Sequence, residues 1–289
     1  MPTINVTNGT GGYFVPEMWA KEVEWARDNA YVVANLVERK HEDNLEFGKL
    51  VHVPFLAKLP VTGVQSVTPG TALTPVAATD TEVQILINQN KAQAVQISDI
   101  AKAQAKYDLA PLYGKAIGDV LAAKIDTDIL SELRTGSTNT AIDGAAAPTY
   151  AQIVTAVSAL DTLNVPLDDR SFVVNGKLMG DLRQMAEFTR YDAVGEKNPS
   201  TASDSKKSLV GFIYGIPVYM TNNVEVVAGA PAKDWNWLFH KSAVGLVVQK
   251  APKMEHDRTS LNLADDIVGS VIYGVKTLRA NHSIGFKRN

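Results

Sequence analysis

The stretch LPVTGVQSVTPGTALTPVAAT, residues 59–79, decides how the rest of the chain is read. It contains no Asp, Glu, Lys or Arg, and Pro60, Pro69 and Pro75, with Gly63 and Gly70, break any helical period. Its Thr and Val residues favour extended backbone. On the near side Val51, Val53 and Phe55 alternate, and on the far side Val83, Ile85 and Ile87 do the same, so the flanks are expected to pair as strands. The chain leaves one point of the fold, runs out and returns to it. Structureless loops beyond about 15 residues are uncommon in compact domains unless they are functional. An uncharged, strand-prone excursion is also an aggregation hazard on an isolated chain, because its open edge is a template for other chains. The pattern predicts an extended hairpin that docks on a neighbour.

Downstream, Asp108 stands at an N-cap position and Pro111 suits a first turn. Ile117, Leu121, Ile125, Ile129 and Leu133 then recur every four residues until Gly136 and Ser137 stop the pattern. About 26 helical residues at 1.5 Å each make a strut of roughly 39 Å. Asp119, Lys124, Asp126, Asp128 and Glu132 interleave with the apolar ridge; with no histidine nearby, a solvated face is expected rather than a metal site. Upstream, residues 16–39 carry Trp19, Val23, Ala26, Tyr31, Val32, Leu36 and Val37 among charges, with Pro16 or Glu17 placed to open a helix, which predicts an amphipathic arm.

Beyond the strut, residues 136–148 read as a linker, and Thr149 with Gln152 forms a capping box ahead of the apolar face Ile153, Val157 and Leu160. Asn164 and Pro166 end that helix, residues 172–174 read as a strand, and Leu178, Leu182 and Met185 return to helical spacing. Residues 191–208 are polar and predict a mobile loop, followed by a strand pair from Leu209. Residues 237–240, 244–249 and 267–278 predict closing strands.

The chain has 289 residues, 45% of them hydrophobic and 20% charged, enough to bury a sizeable core and too apolar for disorder. With no cysteine, disulfides, thiolate metal sites and cysteine nucleophiles are excluded. A net charge of −3 is too balanced for a protein whose main task is gripping phosphates. The first 16 residues lack a signal-peptide pattern, and no window approaches the roughly 18 to 20 apolar residues of a membrane span, so neither export nor a membrane partner is expected. Phosphate-loop, dinucleotide, zinc-helix and nucleophile-elbow motifs are absent. His41, His52, His240, His256 and His282 are scattered, so no catalytic residue, metal or cofactor is assigned. Trp235, Trp237 and Phe239 could stack bases, but only Lys233 and Lys241 flank them and core packing is the better reading. Lys276, Arg279, Lys287 and Arg288 form a mild basic tail, expected to be solvated.

Taken in order, several stretches resemble the major capsid proteins of tailed double-stranded DNA bacteriophages. Phe14-Val15-Pro16-Glu17-Met18-Trp19 is similar to the family's arm entry, residues 59–79 to its extended loop, and residues 108–133 to its spine helix. Ala122-Ala123-Lys124-Ile125-Asp126 is similar to a stretch within that helix. Leu160-Asp161, Asn164-Val165-Pro166 and Arg170, then Phe172-Val173-Val174, resemble a second family segment. Gly211-Phe212-Ile213-Tyr214-Gly215-Ile216-Pro217-Val218 with Thr221-Asn222-Asn223 resembles the axial domain. His240 to Ala243 and Tyr273-Gly274-Val275-Lys276 resemble closing strands. Asn175-Gly176-Lys177 departs from the proline-led helix start common in relatives.

The resemblance implies an α+β chain with the Hong Kong 97-type capsid fold. Its expected parts are an N-terminal arm (1–47), an extended β-hairpin loop with flanking strands (48–98), a peripheral domain with the long spine helix (99–147 and 232–289) and an α/β axial domain (148–231). It implies a structural protein, not an enzyme, that assembles through pentamers and hexamers of itself into an icosahedral head around double-stranded DNA held without sequence specificity. A portal and decoration proteins are the implied partners, and a separate scaffolding protein is expected because arm-like sequence begins within about fifteen residues of Met1. The implied location is the virion, after assembly in the bacterial cytoplasm. Inter-subunit contacts are expected at Trp19, Trp25, Lys58, Val61, Val64, Val67 and Leu73. Some relatives join subunits through a lysine and an asparagine, but Lys58 does not align with that role. The alternatives are an encapsulin-like nanocompartment shell and a soluble α/β enzyme.

Overall fold

Strands β2 (Leu50–Leu56) and β3 (Asp80–Leu86) pair antiparallel, from Leu50 opposite Leu86 to Leu56 opposite Asp80, so the two alternating flanks meet as their pattern predicts. This computed structural model describes residues 4–5, 32–42, 48–56, 63–67, 70, 72–75, 77, 80–104, 110–144, 148–185, 209–227 and 233–288. After β3 the chain enters β4 (Gln89–Ser98), the short helix α1 (Asp99–Gln104) and the 27-residue spine helix α2 (Ala110–Gly136). The expected cap at Asp108 lies outside the described residues.

Two larger sheets flank the spine helix. In the first, β11 (Val244–Thr259) and β12 (Ala264–Thr277) form a long antiparallel hairpin, β4 pairs with β12, and β1 (Ile4–Asn5) runs parallel to the end of β4. The second sheet has the order β5 (Ile142–Gly144), β13 (Ser283–Arg288), β10 (Lys233–His240), β6 (Arg170–Val174), β8 (Ile216–Met220) and β7 (Leu209–Ile213), with β9 (Val226–Val227) also on β10. Helices α3 (Tyr150–Thr162) and α4 (Gly176–Gln184) cover one face of it through Ile153, Leu160, Leu178 and Leu182, against Phe172, Leu238, Ile284 and Phe286. Alternate residues Val173, Trp237 and Phe239 point the other way, into the cluster around the spine helix.

That cluster is the main core. Ile117, Leu121, Ile125, Ile129 and Leu133, the ridge read from the sequence, are all buried, and they meet Ile267, Val271 and Tyr273 of the first sheet as well as Trp237 and Phe239 of the second. A smaller cluster of Val53, Ile85 and Ile87 with Val247 and Leu278 fastens the β2–β3 hairpin to the first sheet.

Four expectations change. The sheets do not follow the division at residue 232: β10, β13 and β5 join β6 and β8, while β4 joins β11 and β12, because apolar alternation marks a strand without naming its partner. The spine carboxylates are a solvated face only in part: Asp119 and Lys124 are exposed, but Asp126 is fully buried, Asp128 accepts from the Tyr273 hydroxyl at 2.6 Å, and Glu132 accepts from the Thr277 N–H at 3.1 Å. The helix is enclosed on more than one side, so its polar positions also face protein. The basic tail is solvated only in part: Lys276, which donates to Glu132 at 2.9 Å, and Arg279 are exposed, whereas Arg288 donates to Asp181 at 2.7 Å and Lys287 lies 4.9 Å from the Trp235 ring centroid. The arm pattern through Arg39 gives turns and a single β-bridge across residues 32–42, and its remainder lies outside the described residues.

Gly274 lets β12 pass directly under the hairpin root, since a Cβ there would lie 2.7 Å from the Leu86 carbonyl oxygen and 3.1 Å from Ile87 Cα. Backbone cannot swing aside as a side chain can. Gly274→Ala is therefore expected to lower stability by about 1–3 kcal/mol in urea denaturation of the unassembled chain. Gly180, inside α4, has nothing within 4 Å of its Cβ position, and Gly180→Ala should raise stability by roughly 0.5–1 kcal/mol in the same assay.

Candidate assembly surfaces and the joints beneath them

The excursion beyond β2 and β3 is apolar inside at its root and apolar outside at its reach. At the root Val53 and Ile85 are buried, and the Arg279 guanidinium lies 5.2 Å from the Phe55 ring centroid. Farther out, Gln65 bridges the two limbs: its Nε2 donates to the Thr74 carbonyl at 2.6 Å and its Oε1 accepts the Thr74 N–H at 3.0 Å. Leu56, Val64, Val67 and Leu73 are 85%, 80%, 76% and 60% exposed. The structure thus brings Val64, Val67 and Leu73 onto one uncharged projection. Trp19, Trp25, Lys58 and Val61 lie outside the described residues.

The arm root is fastened at two points. Glu38 bridges β11 in parallel, with its N–H donating to the Val244 carbonyl and its carbonyl accepting from Leu246, each at 3.0 Å. Val33, Ala34 and Val37 are buried beside it. Asp126 of the spine helix provides the second point: its carboxylate accepts the N–H groups of Val32, Val33 and Ala34 at 3.1, 3.2 and 3.0 Å. Burial pushes its carboxyl up to about 6, against these hydrogen bonds and one from Asn223, which favour the ionised form. Sequence reading missed this role because the partners are 92 to 94 positions away.

Two segments singled out in the sequence prove to be hydrogen-bonded joints, the first local and the second tied to β10. Asn164 adopts a left-handed conformation at φ 54° after α3, and the buried Arg170 reaches back to the Val165 and Pro166 carbonyls at 2.7 and 2.8 Å and to Asp161 at 2.7 Å. At α4 the place of the proline-led start is taken by Asn175, whose Oδ1 accepts the Leu178 N–H at 2.8 Å and whose Nδ2 donates to Asp234 at 2.7 Å. Asn236 accepts the Asn175 N–H at 2.7 Å, so the α4 cap is bolted to β10.

Histidines separated by 42 positions also meet where β10 turns into β11 and β13 begins. Ser242 Oγ lies 2.7 Å from His240 Nδ1 and 2.9 Å from His282 Nδ1, and the Ser242 N–H donates to His240 Nδ1 at 3.1 Å. Burial, then Arg279, His240 and Arg170, push His282 down to about 4; burial also lowers His240, with Asp169 opposing. The unfolded chain takes up protons near the ordinary histidine value while the folded joint resists them until about 4, so the stability contributed here declines as pH falls through that window. His282→Gln is expected to destabilise the chain near neutral pH in thermal melts, with the gap from wild type narrowing towards about pH 4.5. An equal gap at both pH values would show that the joint does not titrate there.

Among the described residues no three His, Asp or Glu side chains gather as a metal site. The open cleft lined by Gln89, Asp128, Ser131, Glu132, Thr135 and Val275 has its carboxylates engaged by Lys124, Tyr273, Lys276 and Thr277.

Comparison with known proteins leads to the same kind of molecule. No curated protein matches the sequence. Among solved structures, a chain of Mycobacterium phage Che8 is 27% identical, with 89% of this chain and 90% of that one aligned at a TM-score of 0.69. The capsid structure of cyanophage P-SCSP1u aligns at 0.66 with 19% identity over 90% and 88% of the two chains, and a virus-like particle from Pyrococcus furiosus aligns at 0.58 with 10% identity over 93% and 98%. The fold is the Hong Kong 97-type capsid fold expected from the sequence. The profile of the family described as phage capsid protein matches residues 64–282, and the chain belongs to that family.

Proposed function

We propose that the chain builds an icosahedral phage head from pentamers and hexamers of itself, and that the head holds double-stranded DNA without reading its sequence. Family membership already gives it a structural capsid role. The observation that carries the finer reading is the hairpin: a root packed into the first sheet and a distal part that leaves Val64, Val67 and Leu73 in water. Burying each such side chain is worth about 1.5–3 kcal/mol, so three of them on every subunit are a substantial drive to association. Trp19, Trp25, Lys58 and Val61 belong to the same contact set.

The working parts are an arm fastened at residues 32–42, the hairpin, a peripheral unit of the spine helix with the first sheet, and an axial unit of the second sheet with α3 and α4. A near-neutral chain suits containment, since a strongly cationic inner wall would hold packaged DNA and resist its release. Portal, scaffolding and decoration proteins are the partners such a head requires, with assembly in the bacterial cytoplasm. The likeness to the Pyrococcus furiosus particle supports a second reading, a nanocompartment shell of the same fold.

Light scattering and negative-stain microscopy of the purified chain test the assembly. Closed shells, or rings of five and six, are expected in fractions far heavier than 31.2 kDa. The triple variant Val64→Lys, Val67→Lys, Leu73→Lys should keep the urea stability of the unassembled chain within about 0.5 kcal/mol while losing the particles. Particles formed equally well by that variant would remove the hairpin from the interface. Nuclease-protected DNA in particles made during infection separates a phage head from a protein-filled compartment.

A further inference from the structure

We propose that Asp126 is a proton-linked latch that fixes the root of the N-terminal arm on the spine helix, tightening when its carboxyl takes up a proton and loosening when it ionises. The argument begins with burial. Asp126 has no exposed surface, yet its position in the middle of the spine helix is fixed by Ile125 and Ile129 on the same ridge. Among the described residues every hydrogen-bond partner it has is neutral: the N–H groups of Val32, Val33 and Ala34 from the arm root, and the Asn223 amide from the loop after β8. On its own helix the neighbouring charged groups, Lys124 and Asp128, pair with each other, and Asp128 also holds the Tyr273 hydroxyl of β12. Across the arm root Glu38 pairs with Lys40, and in the loop after β8 Glu225 pairs with Arg134.

An ionised carboxylate closed off from water without a cation is costly, and neutralising it removes that cost. Opening the arm root would hydrate Asp126 and return it towards its ordinary carboxylate value of 3.8, whereas the closed site holds the carboxyl at about 6. The closed form therefore binds a proton more tightly than the open one. By linkage, lowering the pH through the closed-site value shifts the arm root towards closed, and raising the pH shifts it towards open. Three of the amides that opening releases are the reporters. The latch belongs to the single chain and stands whether or not the arm reaches a neighbouring subunit.

Hydrogen exchange followed by mass spectrometry on the unassembled full chain tests it, with rates corrected for the intrinsic pH dependence of amide exchange. Protection of peptides containing Val33 and Ala34 is expected to rise about tenfold from about pH 7.5 to about pH 5. His240 and His282 titrate with the opposite sign, so they cannot supply that rise. In Asp126→Asn, which keeps a carbonyl acceptor and carries no charge, protection of the same peptides should be independent of pH. Protection in the wild type that stays flat or falls on acidification would overturn the proposal without recourse to the variant. So would an Asp126→Asn chain that keeps the wild-type slope.

Discussion

A 27-residue helix enclosed between two sheets imposes a demand that the rest of this structure answers. One apolar ridge is not enough, because several helix faces meet protein and every polar group on them needs a partner. Asp126 takes the arm-root amides, Asp128 takes Tyr273, and Glu132 takes Lys276 and the Thr277 backbone. The helix thereby gathers the arm root and the first sheet through its carboxylates and the second sheet through Trp237 and Phe239. Stiffness follows from that multiplicity, since no one element can shift without disturbing partners in another.

Stiffness at the centre gives meaning to the projections. Leu56, Val64, Val67 and Leu73 would be a hazard on a flexible strand, where any partner could template pairing. Here the same apolar character extends from a root fixed by Ile85, Ile87, Val247 and Leu278, with Gly274 permitting backbone contact beneath it. A fixed root limits the directions in which the exposed residues can be presented. In the family to which the chain belongs, restriction of that kind is useful, because a closed shell needs interfaces that repeat.

What could be read from the sequence followed how local its cause was. The ridge from Ile117 to Leu133, the Gln152 half of the α3 cap and the β2–β3 pairing depend on neighbours in sequence or on a simple alternation, and all appear as expected. Asp126 was misread as solvent-facing because its partners are the amides of Val32 to Ala34, and backbone amides carry no sequence signature. His240 and His282 looked scattered because it is the pairing of β10 with β13, distant in sequence, that brings them together at Ser242. The placement of β10 and β13 beside β6 was hidden for the same reason, as each strand's pattern is satisfied by any apolar sheet. The segment from Asp161 to Arg170 was legible as a unit even though the arginine's burial was not, because its turn residues and their spacing are local.

The two titrating joints are wired against each other. Burial raises the Asp126 carboxyl to about 6, so acidification through that value favours its closed site. His282 is a base held neutral by burial, so acidification towards about 4 works against its joint. Over the range between those values the two contributions have opposite signs, and a global melting curve records only their sum. The arm root and the junction between the sheets then respond to acid in opposite directions. Only a measurement that separates residues 32–34 from the β10–β13 junction can see both, because the sign of each response is set locally by whether the buried group is an acid or a base.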